Sequence, residues 1–244
     1  MTIRALVFDA YGTLYDVESM RGLATELCGD KGELITQVWR LKQLEYSWLR
    51  GLMREYEDFS LVTRASLEFA LESAGVTSTP GRCEMLMAKY LDLGLYPEAR
   101  QALTALGGYE LAILSNGSPD MPDALVNASG IAHLLTDVIS VDRARTYKPD
   151  PKCYELVTPA LGVQKHEVLF ISSNGFDVAG AKQFGFRVAW VERGGRGALP
   201  MSSNVRPAEF CRLLRRGAER LGHYADFRVN ALTDLALVAS SLAD

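Results

Sequence analysis

Five short apolar runs restrict most strongly how this chain can fold: Ala5–Phe8, Leu111–Leu114, Val138–Val141, Val168–Ile171 and Val188–Val191. Segments with helical three-to-four spacing lie between the last four, near residues 119–129, 152–161 and 177–184. Such alternation predicts strand–helix–strand units, and hence a parallel sheet with right-handed crossovers. The first run breaks the rhythm. About a hundred residues part it from the second, and nearly all read helical, at 19–28, 33–50, 60–74, 83–92 and 98–106. A crossover needs only about a dozen residues. The excess therefore predicts a helical subdomain inserted after the first strand, seated over the C-terminal edge of the sheet.

The expected fold is an α/β, doubly wound parallel-sheet (Rossmann-like) core with an inserted helical cap. Residues 1–16 and 97–244 are assigned to the core and 17–96 to the cap, with Gly107-Gly108 ending the helix that returns to the core. Beyond the last apolar run, Gly194–Asn204 reads as a loop, Arg206–Leu221 as an exposed basic amphipathic helix and Leu232–Leu242 as a final helix.

With 244 residues, 48% apolar and 23% charged, the chain has the composition of an ordinary soluble globule. A net charge of −4 and the lack of any basic run speak against a nucleic-acid partner. No apolar stretch nears the roughly 20 residues that span a bilayer, so no membrane partner is expected. Cys28, Cys83, Cys153 and Cys211 are widely spaced and read as reduced thiols, and since the first apolar run already ends at Asp9 no leader is expected. A cytoplasmic location is expected.

Chemistry concentrates in four polar clusters, each downstream of an expected strand. They are Asp9-Ala10-Tyr11-Gly12-Thr13, Ser115-Asn116-Gly117-Ser118, Lys148-Pro149, and Ser172-Ser173-Asn174 with Asp177. Parallel strands gather such clusters at one edge, where α/β sheets build their active sites. Taken singly, each is also what a capped strand–turn–helix junction looks like.

In this order, the four clusters resemble those of the haloacid dehalogenase-like hydrolase superfamily over about residues 1–193. The segments FDAYGTLYDV, VWRLKQLEYSWLRGLM (38–53), AILSNGSPDM (112–121), YKPDPKCYEL (147–156) and LFISSNGFDVAGA (169–181) are similar to its (S)-2-haloacid dehalogenase branch. Phosphatases of the superfamily carry a second aspartate two positions after the nucleophile; here that position is Tyr11. They also keep acidic magnesium ligands in the fourth cluster, where this chain has Ser172, Ser173 and Asn174. One remaining acid, Asp177, makes a poor magnesium site, and no cofactor is expected. A halide leaves without a proton and a 2-haloacid carries a single negative charge, so both departures suit displacement of halide from carbon.

The resemblance implies a set of roles. Asp9 is the nucleophile, Thr13 supports it, and Lys148 keeps it ionised. Arg40, from the cap, receives the halide with Asn116 and Phe176. Ser115 and the backbone N–H groups of Ala10 and Tyr11 hold the substrate carboxylate. Ser172, Asn174 and Asp177 orient the hydrolytic water, and Tyr154 joins their network. Tyr11, Leu44, Phe59 and Phe176 form the apolar wall. The implied partner is a small 2-halocarboxylate, and the implied assembly a homodimer through helices such as Lys42–Met53. Other readings stay open here. They are opening of a strained ring such as azetidine-2-carboxylate by the same ester chemistry, a phosphatase, and a non-catalytic binding module. Leu41 departs from a position often polar in the branch, leaving chain-length preference open.

Overall fold

The computed structural model describes residues 2–193, 206–216 and 220–242. Its centre is a six-stranded, fully parallel sheet in the order β3-β2-β1-β4-β5-β6. The chain enters at β1 (Ala5–Phe8) and then leaves the sheet for four helices: α1 (Arg21–Cys28), α2 (Gly32–Met53), α3 (Phe59–Ser73) and α4 (Pro80–Tyr90). α5 (Ala99–Ala105) returns it to β2 (Glu110–Ser115), followed by α6 (Asp120–Ser129) and β3 (Asp137–Ser140). Next come α7 (Pro151–Glu155), α8 (Val157–Leu161), β4 (Val168–Ser172), α9 (Gly175–Phe184) and β5 (Arg187–Val191). The tail supplies α10 (Pro207–Arg216), β6 (Phe227–Val229) and α11 (Leu235–Ser240).

Sequence pattern explains the core strands. β1 (ALVF) and β4 (VLFIS) are buried at every position, as central parallel strands covered by helices on both faces must be. Because the chain winds outward from β1 to β3 and restarts at β4, the strand order reverses between β1 and β4. Helices on either side of such a reversal diverge and leave a crevice at the C-terminal strand ends. Asp9 follows β1 directly, and its N–H donates to Ile171 O of β4 at 2.9 Å. The carboxylate is thereby fixed at the crevice.

The inserted helices form a cap held by its own apolar faces. Ile35, Trp39 and Leu44 of α2 are buried, as are Phe59, Val62 and Leu67 of α3 and Leu86 and Tyr90 of α4. Ile35 and Trp39, and likewise Leu86 and Tyr90, keep the four-residue spacing of one helix face, while Leu44 is buried on the side of α2 opposite Ile35. Among the described residues no helix is long and apolar enough to cross a membrane.

Several sequence expectations need correction. The expected helix at 152–161 is broken at Leu156 into α7 and α8. Pro159 lacks the N–H that would bond four residues back, and its ring crowds that turn. The final helix is a 3-10 turn, Leu232–Asp234, leading into α11. α10 is shorter than Arg206–Leu221 and packs on α2, where Arg212 donates to Glu33 (2.7 Å); it also donates to Glu18 (3.4 Å) of the 3-10 turn Val17–Met20. Residues 217–219 of that expectation, and the Gly194–Asn204 loop, lie outside the described residues. The strand β6 was not expected. It is three residues long, and its place at the edge comes from pairing with β5.

Candidate active site

The Asp9 carboxylate is buried and receives three hydrogen bonds. Lys148 Nζ donates to Oδ1 at 2.8 Å, while Thr13 Oγ1 and Asn174 Nδ2 donate to Oδ2 at 2.9 and 2.7 Å. Thr13 lies one turn beyond Asp9, past Gly12, whose φ of +89° is a backbone shape that L side chains rarely adopt. Thr13 Oγ1 in turn accepts the Ser173 N–H at 2.9 Å, and Ser173 Oγ donates to Gly12 O at 2.6 Å. The β1 and β4 loops are thus stitched together around the acid.

Lys148 is 1% exposed and joins two carboxylates. Besides Asp9 it donates to Asp177 Oδ2 at 2.8 Å and to Leu114 O at 3.0 Å, using all three ammonium protons. Its backbone N–H donates to Asn116 Oδ1 at 2.9 Å. Burial alone would lower its pKa, but Asp177 and then Asp9 outweigh that and hold the ammonium above the ordinary lysine value.

Asp177 is fully buried at the start of α9, and Tyr154 Oη donates to its Oδ1 at 2.8 Å. Both its carboxylate oxygens are therefore engaged. Gly180, one turn on, permits this geometry: a Cβ there would come within 2.6 Å of both Pro149 Cβ and Tyr154 Oη. α9 can approach the Lys148-Pro149 loop only because that position has no side chain.

Arg40 reaches the same edge from the cap. It is 5% exposed, and Nη2 donates to Tyr11 O at 3.5 Å. Nη1 donates to Gln43 Oε1 at 2.6 Å, and Cζ stands 5.7 Å from the centre of the Tyr11 ring. The Tyr11 carbonyl also accepts from Asn174 Nδ2 at 3.0 Å, so one backbone oxygen links cap and core donors. A small cavity of about 40 Å³ borders Tyr11, Gly12, Arg40, Ser173, Asn174 and Arg193.

The remaining expected residues are arranged around this centre. Ser172 is buried and its Oγ accepts the Asn174 N–H at 3.1 Å. Ser115 is buried at the end of β2, where Oγ accepts the Gly117 N–H at 3.0 Å. Ala10 is buried too, and its carbonyl accepts three N–H groups from residues 13 to 15, closing the turn. Phe59 stacks at a tilt on Tyr11, with centroids 6.3 Å apart, and Leu44 is buried on α2. Phe176 is half-buried and meets Trp48 in an edge-to-face arrangement, with ring centroids 5.1 Å apart. The Tyr11 hydroxyl is buried with no hydrogen-bond partner among the described residues. Burial holds it neutral, well above the ordinary tyrosine pKa.

Sequence reading did not single out Gln43, Tyr90, Gly180 or Arg193. Arg193 Nη2 donates to Thr13 O at 2.7 Å while Nη1 pairs with Glu98 at 2.8 Å, bracing the nucleophile turn from behind. Only the position of Arg193 just after the last apolar run gave a hint of this.

The fourth cluster does not suit a magnesium ion. Its strand-end residues are neutral, and both oxygens of Asp177 are committed to Lys148 and Tyr154. Among the described residues no three His, Cys, Asp or Glu side chains come together as a metal site.

The haloacid dehalogenase-like hydrolase family matches over residues 3–185. An (S)-2-haloacid dehalogenase from Xanthobacter autotrophicus is 46% identical over 99% of this chain and 96% of its own. The haloacetate dehalogenase H-2 of a Moraxella species is 44% identical over 79% of this chain and 87% of its own. A solved structure of L-2-haloacid dehalogenase from Xanthobacter autotrophicus, with chloropropionic acid covalently bound, superimposes with a TM-score of 0.95. It covers 99% of this chain and 100% of that one at 46% identity. From the sheet reversal, the Asp9 cluster and these likenesses together, the chain belongs to the haloacid dehalogenase-like hydrolases, in their (S)-2-haloacid dehalogenase branch.

Proposed function

We propose that the protein hydrolyses (S)-2-haloacids to (R)-2-hydroxy acids and halide, without a metal, through an ester formed on Asp9. One observation carries the reading: a buried carboxylate is gripped by Lys148, Thr13 and Asn174, and the Tyr11 carbonyl that Asn174 also holds accepts from a cap guanidinium, with Tyr11 where a general acid would stand.

Asp9 attacks C2 from the side opposite the halogen. The new C–O bond forms as the C–X bond breaks, which inverts the centre. Oδ1 carries one donor against two at Oδ2 and so keeps the freer lone pair. The departing halide takes the bonding electrons and meets the positive charge of Arg40. Asn116 fits beside it, since its Oδ1 is committed to the Lys148 N–H and its amide hydrogens remain for an anion. Ser115, with the N–H groups of Ala10 and Tyr11, receives the substrate carboxylate. Phe59, Leu44, Phe176 and the Tyr11 ring enclose the alkyl group.

Water then adds to the Asp9 carbonyl carbon and the bond from that carbon to the substrate oxygen breaks. One water proton goes to the departing oxygen to give the hydroxy acid, the other leaves to solvent, and the carboxylate is restored. Asn174 and Ser172 orient that water. Asp177 acts mainly through Lys148, whose ammonium balances whichever carboxylate is ionised at each stage. Tyr154 fixes Asp177 in turn.

Residues 17–96 act as the cap and 1–16 with 97–244 as the core. The enzyme is a cytoplasmic homodimer, and the exposed Leu49, Leu52 and Met53 at the end of α2 suit a contact between copies.

The test is chloride release from (S)-2-chloropropionate by chelator-treated protein, with the (R)-substrate and monochloroacetate alongside. Release from the (S)-substrate with (R)-lactate as product is expected. No release from neutral to alkaline pH would overturn the reading.

A further inference from the structure

Arg40 carries a full positive charge in a buried place, yet every acceptor it meets is neutral. Its partners are the Gln43 amide oxygen (2.6 Å), the Tyr90 hydroxyl (3.4 Å) and the Tyr11 carbonyl (3.5 Å). Among the described residues it forms no ion pair. Nearby Glu18 is instead engaged by Gln37 and Arg212. Buried cations are normally paired with a carboxylate, because desolvation is costly without one. A neutral lining leaves the charge to be balanced by something that arrives.

The orientation of the Gln43 amide is dictated by its neighbours. Thr63 Oγ1 spends its only proton on Phe59 O at 2.7 Å, one turn back on α3. Toward Gln43 it can therefore only accept, and it takes the Nε2 proton at 2.7 Å. Oε1 must then point the other way. There it accepts Arg40 Nη1 at 2.6 Å and the Tyr90 hydroxyl at 2.8 Å. Gln43 and Thr63 are fully buried, and Tyr90 is 2% exposed. Three cap helices thus converge on one amide whose oxygen holds the guanidinium.

We propose that Gln43 is a positioning residue for the displacement step: it fixes Arg40 by hydrogen bonding while leaving its charge uncancelled for the departing halide. The inference rests on the reading of Arg40 as the halide-facing cation. A glutamate at this position would hold the guanidinium as well but would neutralise it. An apolar residue would leave the charge and lose the hold.

The experiment compares wild type, Gln43→Glu and Gln43→Met as full-length proteins, with circular dichroism to verify folding. Halide release is followed from (S)-2-chloropropionate and (S)-2-iodopropionate, and bromide binding by tryptophan fluorescence. Gln43→Glu should lose about 100-fold in kcat on the chloro substrate, the size expected for one electrostatic donor. It should lose at least about tenfold less on the iodo substrate, whose leaving group spreads its charge and needs less help. Bromide binding should weaken about tenfold or more in Gln43→Glu but stay within about threefold in Gln43→Met, whose kcat falls about tenfold. A merely structural role would reduce both halogens alike.

The inference is overturned if Gln43→Glu keeps wild-type kcat on the chloro substrate, or loses equally on both halogens with unchanged bromide binding. If Gln43→Glu fails to fold, Gln43→Met decides, and an unchanged kcat overturns it. Wild type that releases no halide would defeat the underlying reading. The bromide titrations would then still judge Gln43, and equal binding by wild type and Gln43→Glu would overturn its role.

Discussion

Lys148 Nζ donates to Asp9 Oδ1 at 2.8 Å from a position that is 1% exposed, although the two residues are 139 positions apart in the chain. The same ammonium meets Asp177 at 2.8 Å, so one buried cation stands between two buried acids. Two consequences follow from that ratio of charges.

Removing the cation should be costly in both activity and stability. Lys148→Met leaves two carboxylates facing each other without water, and breaking a buried pair costs about 3–5 kcal/mol. Urea unfolding should register that loss, with halide release falling by at least about a thousandfold. Retained stability would mean that the acids are neutral in the folded protein.

Alkaline pH should mimic that mutation. Because the folded pKa of Lys148 lies above its unfolded value, its stabilising contribution is fully present below about pH 10.4, the ordinary lysine value. It is lost as pH rises through the still higher folded value. Thermal unfolding against pH should therefore show wild type falling on the alkaline side more steeply than Lys148→Met. Parallel curves would contradict the raised value.

Gly180→Ala should be destabilising although alanine favours helices. Its Cβ would lie 2.6 Å from both Pro149 Cβ and Tyr154 Oη. Overpacking of this kind costs about 1–3 kcal/mol, and relief would displace the Lys148 loop. Lower stability together with lower kcat is expected, measured by urea titration and halide release.

Arg193→Met should act on turnover more than on binding. It removes the 2.7 Å bond to the Thr13 carbonyl while touching none of the proposed carboxylate donors. A fall in kcat of about tenfold with KM within about twofold is expected from a misplaced nucleophile turn. A change confined to KM would place Arg193 in substrate binding instead.

Local pattern was enough for much of this protein. β1, β2, β4 and β5 announce themselves as short apolar runs, because strands covered on both faces have few polar positions. The inserted helices follow from the length of the gap after β1. Asp9, Ser115, Lys148 and Asn174 stand out because strand ends and the loops after them carry polar side chains where the sheet permits chemistry. β6 escaped notice for the opposite reason: three residues at an edge carry too little pattern.

The sequence by itself determined the alternation of strands and helices, the insertion and the order of the four clusters, since each depends on residues close along the chain. Only the tertiary structure decided which atoms meet. The sharing of Lys148 between Asp9 and Asp177 and the glycine that lets α9 approach Pro149 follow from how loops and helices pack within the core, and the grip of Gln43 on Arg40 from how the cap helices pack on one another. Glutamine, threonine and tyrosine on helices have no signature of their own. Their roles appear only when burial fixes which donor meets which acceptor.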